Sequence, residues 1–155
     1  KRFVMGSVVG HVIGHAPCKV LVVPAGVTLD YEILLVATDG SAHSDAAVSE
    51  ALAIAKRCGS LLVVLSVASS DEEIPNAEES VKRALDAAEH EGVKKEGMVL
   101  RGKPDEVIVG TATQKNAGLI LMGSHGKTGL KSLLMGGVTE RVLAHGGSAV
   151  LVAKP

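Results

Sequence analysis

The chain has 155 residues, of which 46% are hydrophobic, so it can bury the core of one domain and is not intrinsically disordered. Its 16 basic and 17 acidic side chains give a net charge of −1, and Phe3 and Tyr31 are its only aromatic residues. Nucleic acid is therefore excluded as a partner, because proteins that bind it need basic surface patches and aromatic side chains on which bases stack. Cys18 and Cys58 are far apart in sequence and form no CxxC pair, so we expect two buried free thiols and no metal site built from protein ligands. The lack of a disulfide framework predicts a reducing compartment and hence a cytoplasmic location.

The first 24 residues are similar in sequence to the end of the chain. Shifted by 130 positions onto residues 131–154, they give nine identities. The pairs are Lys1/Lys131, Met5/Met135, Gly6/Gly136, Val8/Val138, Val12/Val142, His15/His145, Val20/Val150, Leu21/Leu151 and Val22/Val152. Both segments are typical of a short helix, a turn and a Val-rich strand. We predict that residues 1–24 are the terminal helix and strand of a preceding truncated repeat, 25–30 a linker, and 31–155 one complete domain.

Two other interpretations of the amino terminus are weaker. A secretory signal or a membrane span is disfavoured because the uncharged stretch is short and His11 and His15 interrupt it. A natural extension that resembles the chain end by chance remains the alternative to a repeat. We therefore expect no membrane association.

From residue 31 onward, apolar runs alternate with helical patterns. Strands are predicted over residues 33–38, 61–67, 98–100, 119–122 and 149–153. The helices between them are predicted to begin at Ser41 or Ser44, at Asn76, at Pro104 and at Val138. This alternation predicts a parallel α/β sheet covered on both faces, with ligands beyond the carboxyl ends of the strands where strand order reverses.

Two segments at predicted strand ends are candidates for a site. One is Thr38-Asp39-Gly40-Ser41, and the other begins at Met122 and carries the pattern G-x2-G-x9-G, from Gly123 through Gly126 to Gly136. Glycines let the backbone approach an anion, and a helix start presents free N–H donors, so this context favours a phosphate site. Ordinary loop geometry is the alternative, because glycine is abundant in this chain.

Single side chains near these segments leave alternatives open. Asp39 can accept a hydrogen bond from a ribose hydroxyl or simply form a turn. His125 lacks an oriented nucleophile beside it, so a loop or phosphate contact is favoured over general-base catalysis. Lys127 and Lys131 can balance triphosphate charge or remain solvated. The sequence therefore assigns no catalytic residue.

The stretch from Met122 to Lys154 resembles the signature of the ATP-binding branch of the universal stress protein family, G-x2-G-x9-G followed by Ser or Thr. The resemblance covers residues 31–154 and implies an open, parallel, five-stranded Rossmann-like sheet of the adenine nucleotide alpha hydrolase-like type. It also implies pairing through the last strand, as a homodimer or as an intramolecular pseudo-dimer. The site residues expected on these grounds are Thr38, Asp39, Val67, Met122, Gly123, Ser124, Gly126, Gly136, Gly137 and Val138.

The resemblance implies an ATP-binding regulatory module of the stress response with at most slow hydrolysis, magnesium arriving with the nucleotide. One departure is Gly137, which stands where the motif has Ser or Thr and removes a hydroxyl donor. Losing one hydrogen bond to a charged phosphate weakens binding by about 1.5–3 kcal/mol. The competing hypotheses are a slow ATPase or phosphotransferase that uses Lys127, and a dimerisation scaffold with a vestigial nucleotide site.

Overall fold

A computed structural model of the chain describes residues 7–126 and 135–155. Within these ranges the chain forms five α-helices, six strands and one short 3-10 turn at Asp71–Glu73. The helices are α1 (Ser7–His15), α2 (Ala42–Cys58), α3 (Ile74–His90), α4 (Pro104–Lys115) and α5 (Gly137–His145). The strands are β1 (Val20–Val22), β2 (Ile33–Ala37), β3 (Leu61–Ala68), β4 (Lys94–Arg101), β5 (Leu119–Gly123) and β6 (Val150–Ala153).

The strands form one sheet in the order β1-β6-β5-β2-β3-β4. Neighbouring strands run parallel except β1, which pairs antiparallel with β6 in a register that places Leu21 opposite Leu151. The predicted parallel α/β architecture is confirmed, but the expected number of five strands is wrong. The sixth strand is β1, which hydrogen-bonds to the free edge of β6 and so satisfies backbone groups that an open edge would leave unpaired.

The sheet carries a hydrophobic core on each face because alternate strand residues point to opposite sides. On one side Leu34 and Val64 pack with residues of α2 and α3 such as Ala51. On the other side Leu35 and Val63 belong to a second core, to which α1, α4 and α5 contribute. Helices on both faces, as predicted, leave the two ends of the strands open for function.

Helix ends agree with the sequence where a cap residue is present. Ser41 caps α2 by accepting a hydrogen bond from the amide of Ser44 at 3.3 Å, and Asn116 ends α4 in the left-handed conformation with φ of 56°. The predicted cap at Asn76 is wrong, because α3 already begins at Ile74. Pro75 fits its first turn, where no amide hydrogen is needed.

The amino-terminal elements repeat the carboxyl-terminal ones. Helix α1 and helix α5 each have 9 residues and are offset by 130 positions, since 137 − 7 = 130. Strands β1 and β6 follow them at the same offset, so the predicted helix, turn and strand are confirmed for residues 7–24. Residues 1–6, which include part of the sequence repeat, lie outside the described residues.

Two further expectations concern the surface. Cys18 and Cys58 are free and exposed, so the prediction that both are buried is wrong. Each lies next to the end of a helix rather than on its core face, which explains the exposure. Among the described residues, no helix combines the length and the apolar character that crossing a bilayer requires.

Candidate functional site

A cleft of about 320 Å³ lies at the carboxyl ends of β2, β3 and β5. Strand order reverses between β2 and β5: the chain runs from β2 outward through β3 and β4, and then returns to place β5 on the other side of β2. Loops leaving such a pair of strands diverge and open a crevice. The cleft therefore occupies the position at which the sequence predicts a ligand.

The segment after β2 forms one wall of the cleft and is fixed by its own side chains. The Asp39 carboxylate accepts a hydrogen bond from the Ser41 amide at 2.9 Å, which makes a turn. The amide of Thr38 extends the sheet by donating a hydrogen bond to the Leu65 carbonyl. The hydroxyl of Thr38 lies 3.2 Å from the hydroxyl of Ser44. Asp39 therefore forms the turn and also lines the cleft, so both interpretations of it stand.

The segment after β5 forms the opposite wall, and two glycines there are needed for space. A Cβ atom on Gly123 would lie 2.6 Å from the backbone carbon of His43, at the start of α2. One on Gly126 would lie 2.8 Å from the second carboxylate oxygen of Asp39. Gly123 thus lets α2 pack against β5, whereas Gly126 brings the two walls of the cleft together.

The amides of this segment divide into occupied and open donors. Ser124 donates to the Ala153 carbonyl at 3.1 Å, and Gly136 donates to the Ser124 carbonyl at 2.6 Å. The amide of Gly136, expected to hold phosphate, is therefore already used by the protein. Its lack of a side chain still matters, because a Cβ atom there would approach His125 and Ser124 to within 3.2–3.3 Å.

The open donors are the first amides of α5. Glu140 makes the first helical bond of α5, to the Gly136 carbonyl, so the amides of Gly137, Val138 and Thr139 precede the intrahelical ladder. In the described part of the chain these three amides have no protein acceptor. The Thr139 hydroxyl fixes the helix start by donating to the Gly123 carbonyl at 2.7 Å. Three such donors at a helix start, together with the helix dipole, are an arrangement that favours an anion.

Nine of the predicted site residues line the cleft together: Thr38, Asp39, Val67, Met122, Gly123, Gly126, Gly136, Gly137 and Val138. Ser124 does not, although it was expected to. Its side chain is buried, because its amide and carbonyl join β6 to the start of α5. Its hydroxyl lies 3.2 Å from Nδ1 of His125, so it contacts the cleft only through that ring.

Sequence reasoning missed four polar residues between the end of β3 and the start of α3 that line the cleft. These are Ser66, Ser69, Glu73 and Asn76. Asn76 reaches from the first turn of α3 toward the Asp39 carbonyl at 3.5 Å, and Glu73 accepts from the Ser69 amide at 2.7 Å. The available signal was that Ser66 and Ser69 lie at the carboxyl end of a predicted strand, where site residues of parallel sheets concentrate.

The residues considered for catalysis or metal binding give no constellation. His125 lines the cleft, and its ring centroid lies 5.1 Å from that of His43. Ser124 is too buried to act as a nucleophile. Across the ranges 7–126 and 135–155, no group of three or more His, Cys, Asp or Glu side chains could hold a metal ion. Lys127 and Lys131 lie outside the described residues.

An ion cluster borders the cleft between α4 and α5. The buried carboxylate of Asp105 accepts from Nε of Arg141 at 3.2 Å and lies 3.5 Å from Nε2 of His145, an electrostatic contact too long for a good hydrogen bond. Burial opposes ionisation of Asp105, but the contacts with Arg141 and His145 outweigh it and hold the pKa of the carboxyl below its usual value of 3.8.

Replacement of Asp105 with Asn should lower the free energy of unfolding at pH 7 by about 1 kcal/mol, a modest loss because Arg141 is half-exposed. Because the pKa of Asp105 is lower in the folded protein than in the unfolded chain, its ionised carboxylate stabilises the fold at pH values above the unfolded-state pKa. This stabilisation is lost as the pH falls through the folded-state pKa. The difference between variant and wild type should therefore shrink below about pH 4. Urea unfolding at pH 7, 4 and 3 measures it, and a pH-independent difference contradicts the assignment.

Comparison with known proteins gives one consistent result. A model of the Universal stress protein family matches residues 30–154. Universal stress protein MJ0577 of Methanocaldococcus jannaschii is 42% identical over 83 residues, which are 54% of this chain and 49% of that protein. A solved structure of MJ0577 superposes with a TM-score of 0.70 at 30% identity, covering 81% of this chain and 96% of the other.

Two further relatives bear on the ligand and on the amino terminus. A universal stress protein solved in complex with cAMP is 26% identical, with a TM-score of 0.68, and the match covers 79% of this chain and 96% of that one. A universal stress protein of Mycolicibacterium smegmatis is 31% identical over 99% of this chain but only 57% of its own length. The chain thus spans about half the length of two of the curated relatives that it matches.

Proposed function

Because the chain belongs to the universal stress protein family, we propose that it binds ATP in the cleft at the carboxyl ends of its strands. In this proposal it is a cytoplasmic regulatory module of the stress response, and nucleotide occupancy shifts its conformation or its association. Hydrolysis is at most slow. The observation that carries the proposal is the trio of amides at the start of α5: these residues line the cleft, and the amides have no acceptor among the described residues.

The residues present fit an adenine nucleotide. The phosphates would lie on the amides of Gly137, Val138 and Thr139, where the helix dipole favours negative charge. Gly126 keeps the approach to these amides narrow and free of side chains. Magnesium would come with the nucleotide, since the described residues supply no ligand cluster of their own.

The nucleoside would lie on the opposite side of the cleft. Val67 supplies an apolar contact for the base, and Asp39 and Thr38 supply oxygen acceptors near the ribose. The complex of a relative with cAMP supports an adenine nucleotide as the ligand class. A cleft that combines apolar lining residues with a few converging polar groups is typical of small-molecule sites.

The proposal is tested by mass spectrometry of nucleotide released from the purified protein, together with calorimetric titration of ATP. We expect either co-purified adenine nucleotide or saturable binding of ATP, with turnover well below about one per second. Faster turnover would favour the ATPase or phosphotransferase alternative. Absence of both bound and titratable nucleotide would leave only the scaffold.

We also propose that residues 1–24 end a preceding copy of the domain, with residues 25–30 as linker and 31–155 as the complete domain. Support comes from the pairing of β1 with β6: repeat-equivalent Leu21 and Leu151 lie directly opposite each other in antiparallel strands, as a local two-fold axis requires. Two copies would then form a pseudo-dimer through their last strands, and a chain with a single copy would form a homodimer. Sequencing the coding region upstream tests this: a further copy supports it, and its absence contradicts it.

A further inference from the structure

Position 137 has an unusual neighbour. A Cβ atom on Gly137 would lie 3.0 Å from one terminal guanidinium nitrogen of Arg141 and 3.9 Å from the other. The two residues are four apart on α5, and helical side chains lean toward the amino terminus of their helix. The guanidinium therefore occupies the space beside the helix start that a side chain at position 137 would take.

Arg141 is held in this place by a buried anchor. Its Nε donates to Asp105 at 3.2 Å, and the Asp105 side chain is 8% exposed whereas that of Arg141 is 49% exposed. In the described ranges, the terminal nitrogens of Arg141 donate to no protein acceptor. One side of the guanidinium is thus fixed, while the other side, with its remaining donors, is open to solvent next to Gly137.

In the described lining of the cleft, Asp and Glu side chains are present but Lys and Arg are not. Asp39 and Glu73 bring two carboxylates to its lining, while a nucleoside polyphosphate carries several negative charges. Three amides and a helix dipole offset only part of that charge. An arginine fork beside the amides complements a phosphate group in both charge and hydrogen-bond geometry.

The internal sequence repeat shows a paired exchange at the same two positions. Ser7 is equivalent to Gly137 and His11 to Arg141 at the offset of 130, since 7 + 130 = 137 and 11 + 130 = 141. The amino-terminal segment therefore has the hydroxyl without the arginine, and the complete domain has the arginine without the hydroxyl. In this pair of segments, glycine at the first position goes with arginine at the second.

On the basis of the proposed function, we propose that Arg141, positioned by Asp105, takes the place of the missing Ser or Thr hydroxyl and binds the phosphate chain of the nucleotide. Gly137 makes room for the guanidinium. The site accordingly selects for phosphorylated nucleosides, and Arg141 is a specificity-determining residue that acts on the phosphate end alone.

The test compares ATP and adenosine in an Arg141→Gln variant. We expect ATP affinity to fall about 10- to 100-fold, the effect of losing a charged hydrogen bond, while adenosine affinity changes less than about threefold. Arg57→Gln is the matched control: it removes the same charge from the exposed last turn of α2, which precedes the start of β3 and so lies at the strand ends opposite the cleft, and it should leave ATP binding unchanged. Calorimetry measures the affinity for ATP, and an NMR titration measures the affinity for adenosine.

A second comparison separates a phosphate contact from a structural ion pair. Gly137→Ser should raise ATP affinity about fivefold or more in the Arg141→Gln background, where the hydroxyl has space, and by less than about twofold in wild type. If the Arg141→Gln variant folds poorly, Arg141→Lys replaces it in the test because it keeps a positive charge. We expect Arg141→Lys to bind ATP with an affinity between those of wild type and Arg141→Gln. Equal losses for ATP and adenosine, unchanged ATP affinity, or equal gains from Gly137→Ser in both backgrounds would overturn the inference. Wild type that binds no nucleotide at all would instead overturn the proposed function itself.

Discussion

Replacing Gly126 with Asp is expected to lower the affinity for ATP by at least about 100-fold, which corresponds to about 2.7 kcal/mol. The new side chain would begin 2.8 Å from the carboxylate of Asp39, between that residue and the start of α5. It would add a negative charge next to the start of α5, which repels the phosphates, and would take up space in the cleft. Calorimetric titration of ATP measures the loss.

The Gly126→Asp variant should still fold, because among the described residues the new Cβ meets only the end of the Asp39 side chain, which can move. Gly147→Asp is the matched control: it adds the same charge in the exposed turn that leads into β6, at the strand ends opposite the cleft. A Cβ atom there meets no described residue within 4 Å. We expect the control to bind ATP like wild type. Equal binding by both variants would mean that ATP does not occupy this cleft.

Replacing Gly123 with Ala should destabilise the fold by about 3 kcal/mol, the upper end of the usual cost of overpacking. Its Cβ atom would lie 2.6–2.8 Å from backbone and Cβ atoms of His43, and a helix backbone cannot give way as a side chain can. To relieve the clash, α2 has to shift away from β5. Urea or thermal unfolding followed by circular dichroism measures the free energy of unfolding.

The control for this prediction is Gly110→Ala, inside α4. A Cβ atom there meets no atom of the described ranges within 4 Å, and alanine is the better helix former. This variant should therefore be as stable as wild type or more stable by about 0.5–1 kcal/mol. A Gly123→Ala protein with wild-type stability would show that α2 does not pack this closely against β5. A loss of ATP binding without a loss of stability would instead give Gly123 a direct role in the site.

Much of the fold could be predicted because its strands are buried on both faces. Such strands appear as continuous apolar runs, and β2, β3 and β5 were predicted to within about one residue of their ends. Strand β4 was predicted over residues 98–100 but extends from Lys94 to Arg101. It lies at the edge of the sheet, where Lys94 is exposed and no apolar run marks the strand.

Those parts of the site could be predicted in which glycine or a helix start determines the backbone geometry. The glycines, the helix start near Gly137 and Asp39 at a strand end could be assigned to one candidate site from the sequence, and they line one cleft. The amide of Gly136 could not be assigned, since its bond to Ser124 depends on how the loop returns to β5. Contacts between elements distant in sequence, such as Arg141 with Asp105, likewise arise only when the helices pack.

The most direct test of the account follows the amide resonances of Gly137, Val138 and Thr139 during a titration with ATP, in a nitrogen-15 correlation spectrum. Phosphate bound at the start of α5 should shift all three resonances and slow their exchange with solvent, while adenosine should leave them in place. Saturation with ATP that leaves these three amides unchanged, or that shifts resonances only elsewhere in the chain, would contradict the proposed seat for the phosphates.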